Sequence, residues 1–337
     1  MPALRILARA GFALPPALAN NDGPTHISLR RMVTRFFDSG RVATALPLIE
    51  RTAEELLTDI RRELDRGSAC DLATQFARPL PCLVMMRMLG LGNVSPATLM
   101  AWSDAALELF YGRPPTEHQP QLADQVGEFH RWLSEQLTDG DESGLFGALR
   151  AHRMPGGGLL DGPTAVAVAF FVLVAAHATT GQLIATLLRR TSAYPQIWSR
   201  AAAEEGFAEA WLEEILRREP PVTSWRRVTA HPVELAGTRL PAGAELLLML
   251  MGTGSDPEVF RDPEELCPYR PNLRHHLAFG VGRHRCPGAS LARAEATVAL
   301  RTAARRLPEA PLLVQDESDM LGLLSFRAPL RVTMRRP

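Results

Sequence analysis

Lysine is absent from this sequence, so the 37 basic residues that balance 37 acidic ones are all arginine. A formal net charge of zero gives no global field of the kind that draws a protein to nucleic acid or to an anionic membrane. The arginine bias fits a GC-rich genome better than any function. Cysteine is scarce. Cys70, Cys82, Cys267 and Cys286 show neither a secreted disulfide framework nor the paired short spacings of structural zinc, and the expected compartment is a reducing cytoplasm. Long apolar runs are missing too. The wholly apolar run 165–176 ends at His177 and polar residues, too short to span a bilayer, and reads as the buried central helix of a large helical protein. Residues 1–21 contain Arg5 and Arg9 and no acid, but Pro15 and Pro16 break an already short apolar run, so they are read as a short N-terminal segment rather than a signal peptide. Repeats and low-complexity tracts are likewise absent.

What is present is a chain of 337 residues, 46% apolar, enough to bury a substantial core. Its most informative stretch is residues 277–293, LAFGVGRHRCPGASLAR. Gly280, Gly282 and Gly288 allow tight turns and close approach of backbone to a flat ligand. Phe279 can pack on that ligand. Cys286 precedes Pro287, which can open a helix at its first position, so unpaired N–H groups would point back at the sulfur and stabilise a thiolate. A lone cysteine in a glycine-rich turn is most often a buried structural residue. The whole spaced set, however, resembles the cysteine-ligand loop of cytochromes P450, with Phe279, Gly280, Gly282, His284, Cys286 and Gly288 at the family's spacing.

That resemblance implies haem b (iron protoporphyrin IX) as cofactor, Cys286 as the metal ligand, and Phe279 and Gly288 beside the haem. It extends to other parts of the chain. His26 and Arg30 fall four residues apart on one helix face, which Pro24 can open, and they resemble the pair that contacts the haem propionates. Arg227, in a β-like segment, matches a propionate-binding arginine, and His284 another such contact. Arg31 and Arg35 lie toward the surface on the side that in the family receives the electron donor, so ferredoxin with ferredoxin reductase is the implied partner. Glu214 and Arg217 share a helix face and resemble the family's Glu-x-x-Arg helix, with Arg270 as the third member of a structural trio.

The central helix, read as residues 163–190, contains Ala175-Ala-His-Ala-Thr-Thr180, similar to the family's oxygen-activating turn, where an acid followed by threonine manages proton delivery. Thr179 is present, but Ala178 stands in place of the acid. Alanine relays no proton, so the path is incomplete unless His177, another side chain, the substrate or water substitutes. Thr179 and His177 are therefore the candidate catalytic residues. A second departure lies upstream. Too little sequence precedes His26 to supply the family's first helix, its opening strands and most of the loop over the substrate pocket, so either the pocket is built differently or the start is truncated.

Elsewhere, apolar spacing through Leu46, Ile49, Ala53, Leu56, Leu57 and Ile60 predicts helices over most of 42–153, with turn-rich breaks at 111–115 and 139–144 and a joint at 156–158. Residues 224–235 and 245–250 read as strands, 289–306 as the last helix, and the tail from Pro311 as short strands, with 324–326 near the substrate. The expected fold is mainly α with small β-sheets, a cytochrome P450-like fold lacking the usual N-terminal helix and first strands, with residues 22–337 as one haem-binding domain. The implied activity is oxidation of a small organic molecule in specialised-metabolite biosynthesis by a cytoplasmic bacterial enzyme without nucleic-acid or membrane partners. Peroxide use and one-electron coupling remain variants, and the alternative is a haem-binding helper or carrier-binding homologue without oxygenase activity.

Overall fold

The computed structural model describes residues 2–139, 142–308, 312–313 and 319–336. Helices dominate: α1 (Pro2–Arg9), α2 (His26–Thr34), α3 (Ser39–Asp65), α4 (Pro79–Leu89), α5 (Pro96–Tyr111), α6 (Gln119–Asp139), α7 (Gly144–Ala151), α8 (Gly162–Ser192), α9 (Pro195–Ala203), α10 (Phe207–Arg218) and α11 (Ala289–Arg306). Local chemistry sets several starts. Asp38, Ser95 and Asp161 each accept a hydrogen bond from the backbone N–H three residues on, at 2.9–3.0 Å, satisfying donors that a helix start leaves open.

The centre is α8, apolar on most sides and packed against α4, α5, α6 and α11. By length and composition it is apolar enough to cross a membrane, but 61% of its apolar window is buried inside the protein, the environment expected of a core helix. Gly181 lets a π-helical turn, Ala73–Ala77, cross α8 closely. A Cβ there would sit 3.1 Å from the Ala77 carbonyl oxygen and 3.2 Å from the Arg78 Cα.

The strands form three small sheets: β1 (Cys70–Asp71), β2 (Ser224–Val228), β3 (Val233–Leu235), β4 (Thr238–Leu240), β5 (Glu245–Met249), β6 (Leu312–Leu313) and β7 (Thr333–Arg335). Their orders are β1-β7-β6, β2-β5 and β3-β4, every pairing antiparallel. Residues read as one strand over 224–235 thus split into β2, which places Arg227 opposite Leu246, and β3, which turns back through Ala236 and Gly237 at φ 49° and 77°. β5 leaves Leu247, Leu248 and Met249 exposed.

Three expectations need correction. Pro24 does not open α2; it lies in the preceding turn, with Thr25 as N-cap. Pro287 likewise occupies a turn, and α11 opens at Ala289 behind Gly288. Residues 1–21 are more than a leading segment. α1 is amphipathic, buries Ala3 and Leu7 and packs on α6, and Ala17 is fully buried. Among the described residues no strand precedes α2. Gly140 and Asp141 of the 139–144 break, and Pro311 at the start of the tail, lie outside the described residues.

Candidate functional site

The cysteine loop is held by its own backbone. Gly280 and Gly282 sit at φ 66° and 73°, a region costly for any residue with a Cβ, and the Cys286 N–H donates to the Phe279 carbonyl at 2.8 Å. Gly288 behaves differently. Its φ is −85°, and a Cβ would meet the Cys286 Sγ at 3.9 Å, an ordinary contact. Burial pushes the Cys286 thiol up, while the Gly288 amide and the charges of Arg30, Arg293 and Arg285 pull it down; burial wins in the protein alone. The Phe279 ring lies 4.5 Å beneath the Arg293 guanidinium.

Beside the loop, cations converge from three distant segments. His26 is buried, and neither ring nitrogen has a hydrogen-bond partner. Its ring stands 4.7 Å from that of His284. Arg30 donates through Nη2 to the Arg285 carbonyl. His284 Nε2 lies 2.7 Å from Asp22 Oδ1, and Arg283 donates to the Asp22 carbonyl at 2.7 Å. The hydrogen bond from His284, with the charges of His284, Arg283 and Arg227, holds the Asp22 carboxyl below its ordinary value against a smaller burial effect. Burial, then the charges of His284, Arg30 and Arg283, lowers His26.

Three of the four expected propionate ligands are thus engaged otherwise, Arg30 with the Arg285 carbonyl among them. His284 is bonded to Asp22, and Arg227 donates to the Arg226 carbonyl at 2.8 Å. The physical reason is that an exposed carboxylate, Asp22, supplies the negative charge that the cluster attracts. Two orphaned buried nitrogens on His26 and an excess of cations over acids suit a ligand bearing carboxylates, so this donor set fits haem propionates. Asp22 was missed in the sequence; it precedes Gly23-Pro24 in what reads as a plain turn.

Beneath the loop lie two ion networks. Glu214 is completely buried and takes two bonds from Arg217 at 2.8 Å, one from Arg270 at 3.1 Å and one from the Cys267 N–H at 2.8 Å. Arg217 also donates to the carbonyls of Gly254, Pro263 and Glu265. The expected trio is therefore assembled, with every charge paired. Its neighbour Glu213, which sequence reasoning passed over, bonds His276 at 2.9 Å and Arg293. Burial alone would raise the Glu213 carboxyl, but hydrogen bonds from His276 and Arg293 bring it down to about 2. Since Arg293 also lies over Phe279, this network ties α10 to the cysteine loop. The only hint in the sequence was the doublet Glu213-Glu214.

On α8, the Thr179 hydroxyl donates to the Ala175 carbonyl at 3.1 Å. His177 points elsewhere, its Nε2 3.0 Å from Ser103 Oγ on α5. Burial, helped by the Arg78 charge, depresses it to about 4, so it is neutral at pH 7 with that nitrogen already committed. Of the substitutes that could stand in for the missing acid, His177 thus has its Nε2 turned to Ser103 on α5. In the tail, Leu324 is exposed, while Phe326 is buried and meets Tyr111 edge-on at 5.2 Å.

Comparison with known proteins bears on this geometry. The family model described as Cytochrome P450 matches residues 187–308. The cytochrome P450 monooxygenase PikC of Streptomyces venezuelae is 33% identical over 308 residues, which span 91% of this chain and 72% of PikC. Pentalenic acid synthase of Streptomyces avermitilis is 32% identical over 296 residues, 87% of this chain and 70% of that protein. Among solved structures, full-length CYP116B46 from Tepidiphilus thermophilus superposes with a TM-score of 0.90 at 28% identity, covering 99% of this chain but 44% of that longer one.

Proposed function

The chain belongs to the cytochrome P450 family, and from that premise we propose that it is a haem-thiolate monooxygenase acting on a small organic molecule. Its cofactor is haem b, which, held by the Cys286 thiolate, would supply dioxygen activation and oxidation of a bound substrate. The observation that carries the reading is Cys286 in its glycine-shaped loop beside His26, a buried histidine with both nitrogens unpaired.

Each residue then has a task. Cys286 Sγ holds the iron. The Gly288 N–H and the guanidiniums of Arg30 and Arg293 offset negative charge on that sulfur. His26, Arg30, Arg227 and His284 would hold the two propionates, His284 by exchanging Asp22 for one of them. Phe279 packs against the haem from within the loop. Thr179 holds a proton at Oγ1, on the α8 turn that faces the reaction. Residues 22–337 act as one haem-binding domain, with α1 packed onto it.

The name of pentalenic acid synthase, a biosynthetic enzyme, favours a substrate from specialised-metabolite biosynthesis. A groove lined by Arg31, Arg35, Arg41, His152 and Arg153 favours an acidic electron donor such as ferredoxin, served by its reductase, in the cytoplasm. Ala178 favours the second reading, a haem-binding helper without oxygenase activity. Purified protein given NADPH and a surrogate ferredoxin pair, or peroxide alone, separates the two. Substrate-dependent oxidation by either route supports the enzyme. Haem-loaded protein inert to both supports the helper.

A further inference from the structure

Ala178 borders a small cavity between α8 and its neighbours, of about 70 Å³. That is room for at least one ordered water, provided polar partners are present. They are. Asp104 on α5, Arg78 from the turn before α4, and Gln182 one turn along α8 all line it, opposite the apolar wall Leu321, Ala328 and Leu330. Gln182 Oε1 is buried and has no hydrogen-bond partner, which is what a water-filled cavity would satisfy. Asp104 pairs with Arg78 through Oδ2, and about half of its side chain still reaches solvent. It therefore faces the cavity on one side and bulk water on the other.

We propose that Asp104 is a positioning residue for proton delivery, supplying from the neighbouring helix, through cavity water, the acid that position 178 of α8 lacks. A proton leaves the Asp104 carboxyl for water in the cavity beside Ala178, and that water passes one of its own protons on toward Thr179, the adjoining residue. A solvent proton replaces the first on the exposed side of Asp104. Arg78 keeps its charge throughout and fixes the carboxyl in place. The groups facing Asp104 are Arg78, Glu108 on its own helix, Cys82 on α4 and His177 on α8. Desolvation raises the Asp104 carboxyl, Arg78 opposes this and Glu108 adds to it, leaving a net upward shift. His177, neutral and bonded to Ser103, walls the cavity without feeding it.

This inference rests on the haem-thiolate reading, and its test keeps the two apart. In haem-loaded protein, Asp104→Asn retains the shape of the side chain but carries no exchangeable acid. It should lower the coupling of reductant consumption to product by about tenfold or more. Asp104→Glu should keep most of the coupling, and Ala178→Asp should restore it in the Asp104→Asn background. Ala178→Leu, which fills the cavity and leaves the Arg78 pair intact, should uncouple the enzyme as well, and it serves should Asp104→Asn fail to fold. Independently of turnover, the infrared difference between wild type and Asp104→Asn should show a carboxyl band titrating above the ordinary aspartate range and shifted in Ala178→Leu; the raised carboxyl of buried Glu295 is common to both proteins and cancels. Coupling within about twofold of wild type in Asp104→Asn, uncoupling that Ala178→Asp does not rescue, or the absence of such a difference band overturns the relay. Wild-type protein that takes up no haem overturns the underlying reading instead.

Discussion

His177 illustrates how a polar residue in the core acts on stability rather than chemistry. Its folded value of about 4 lies below the ordinary value of 6.5, so the unfolded chain binds the extra proton between those pH values. Stability therefore falls as pH falls through that window, by on the order of 3 kcal/mol from this residue. Urea unfolding at stepped pH should show His177→Leu losing less stability than wild type between pH 6.5 and 4; equal slopes contradict the assignment. The residues legible in the sequence were those with short, fixed spacings between their types: Cys286 with its glycines, His26 with Arg30, Glu214 with Arg217. Asp22, Asp104 and Glu213 were not. Each is an acid on a helix or turn whose partner comes from afar, 262 residues on for Asp22 and 63 and 80 on for Glu213, and no local pattern encodes such a pairing.

Helix α10 is the element on which the cysteine loop rests. Arg217 is fully buried and spans Glu214 and three loop carbonyls, so Arg217→Ala leaves a buried carboxylate short of charge and three acceptors with fewer donors. Removing one member of such a network costs about 3–5 kcal/mol. Chemical denaturation should show that loss, with haem content falling alongside; a variant as stable as wild type would refute the scaffold role. Helix bodies were readable because apolar spacing and caps such as Asp161 act over one turn. Starts next to proline were not, since Pro24 and Pro287 fit a helix's first turn and an irregular turn equally well, and tertiary packing chose the latter. α1 escaped notice because eight residues carry too little pattern to declare a helix that packing against α6 stabilises.

Across the whole molecule, acid should separate the fold from its site. Glu213, brought down to about 2 in the folded protein, contributes stability above the ordinary glutamate value that is lost as pH falls toward 2. Glu213→Gln should be less stable at pH 7 by on the order of 3 kcal/mol, and its melting temperature should change less than that of wild type between pH 5 and 2. The order of motifs from His26 to Cys286 made the family readable, because one cofactor imposes contacts on segments far apart in sequence. The substrate was not readable, since no motif or fixed spacing in the sequence marks the side chains that would select it. The most direct measurement of the central claim is the absorption spectrum of reduced, CO-exposed protein, wild type beside Cys286→Ser. The account predicts the red-shifted band of thiolate ligation in wild type and its loss in Cys286→Ser. A wild type that binds no haem, or a band that survives the substitution, would contradict it.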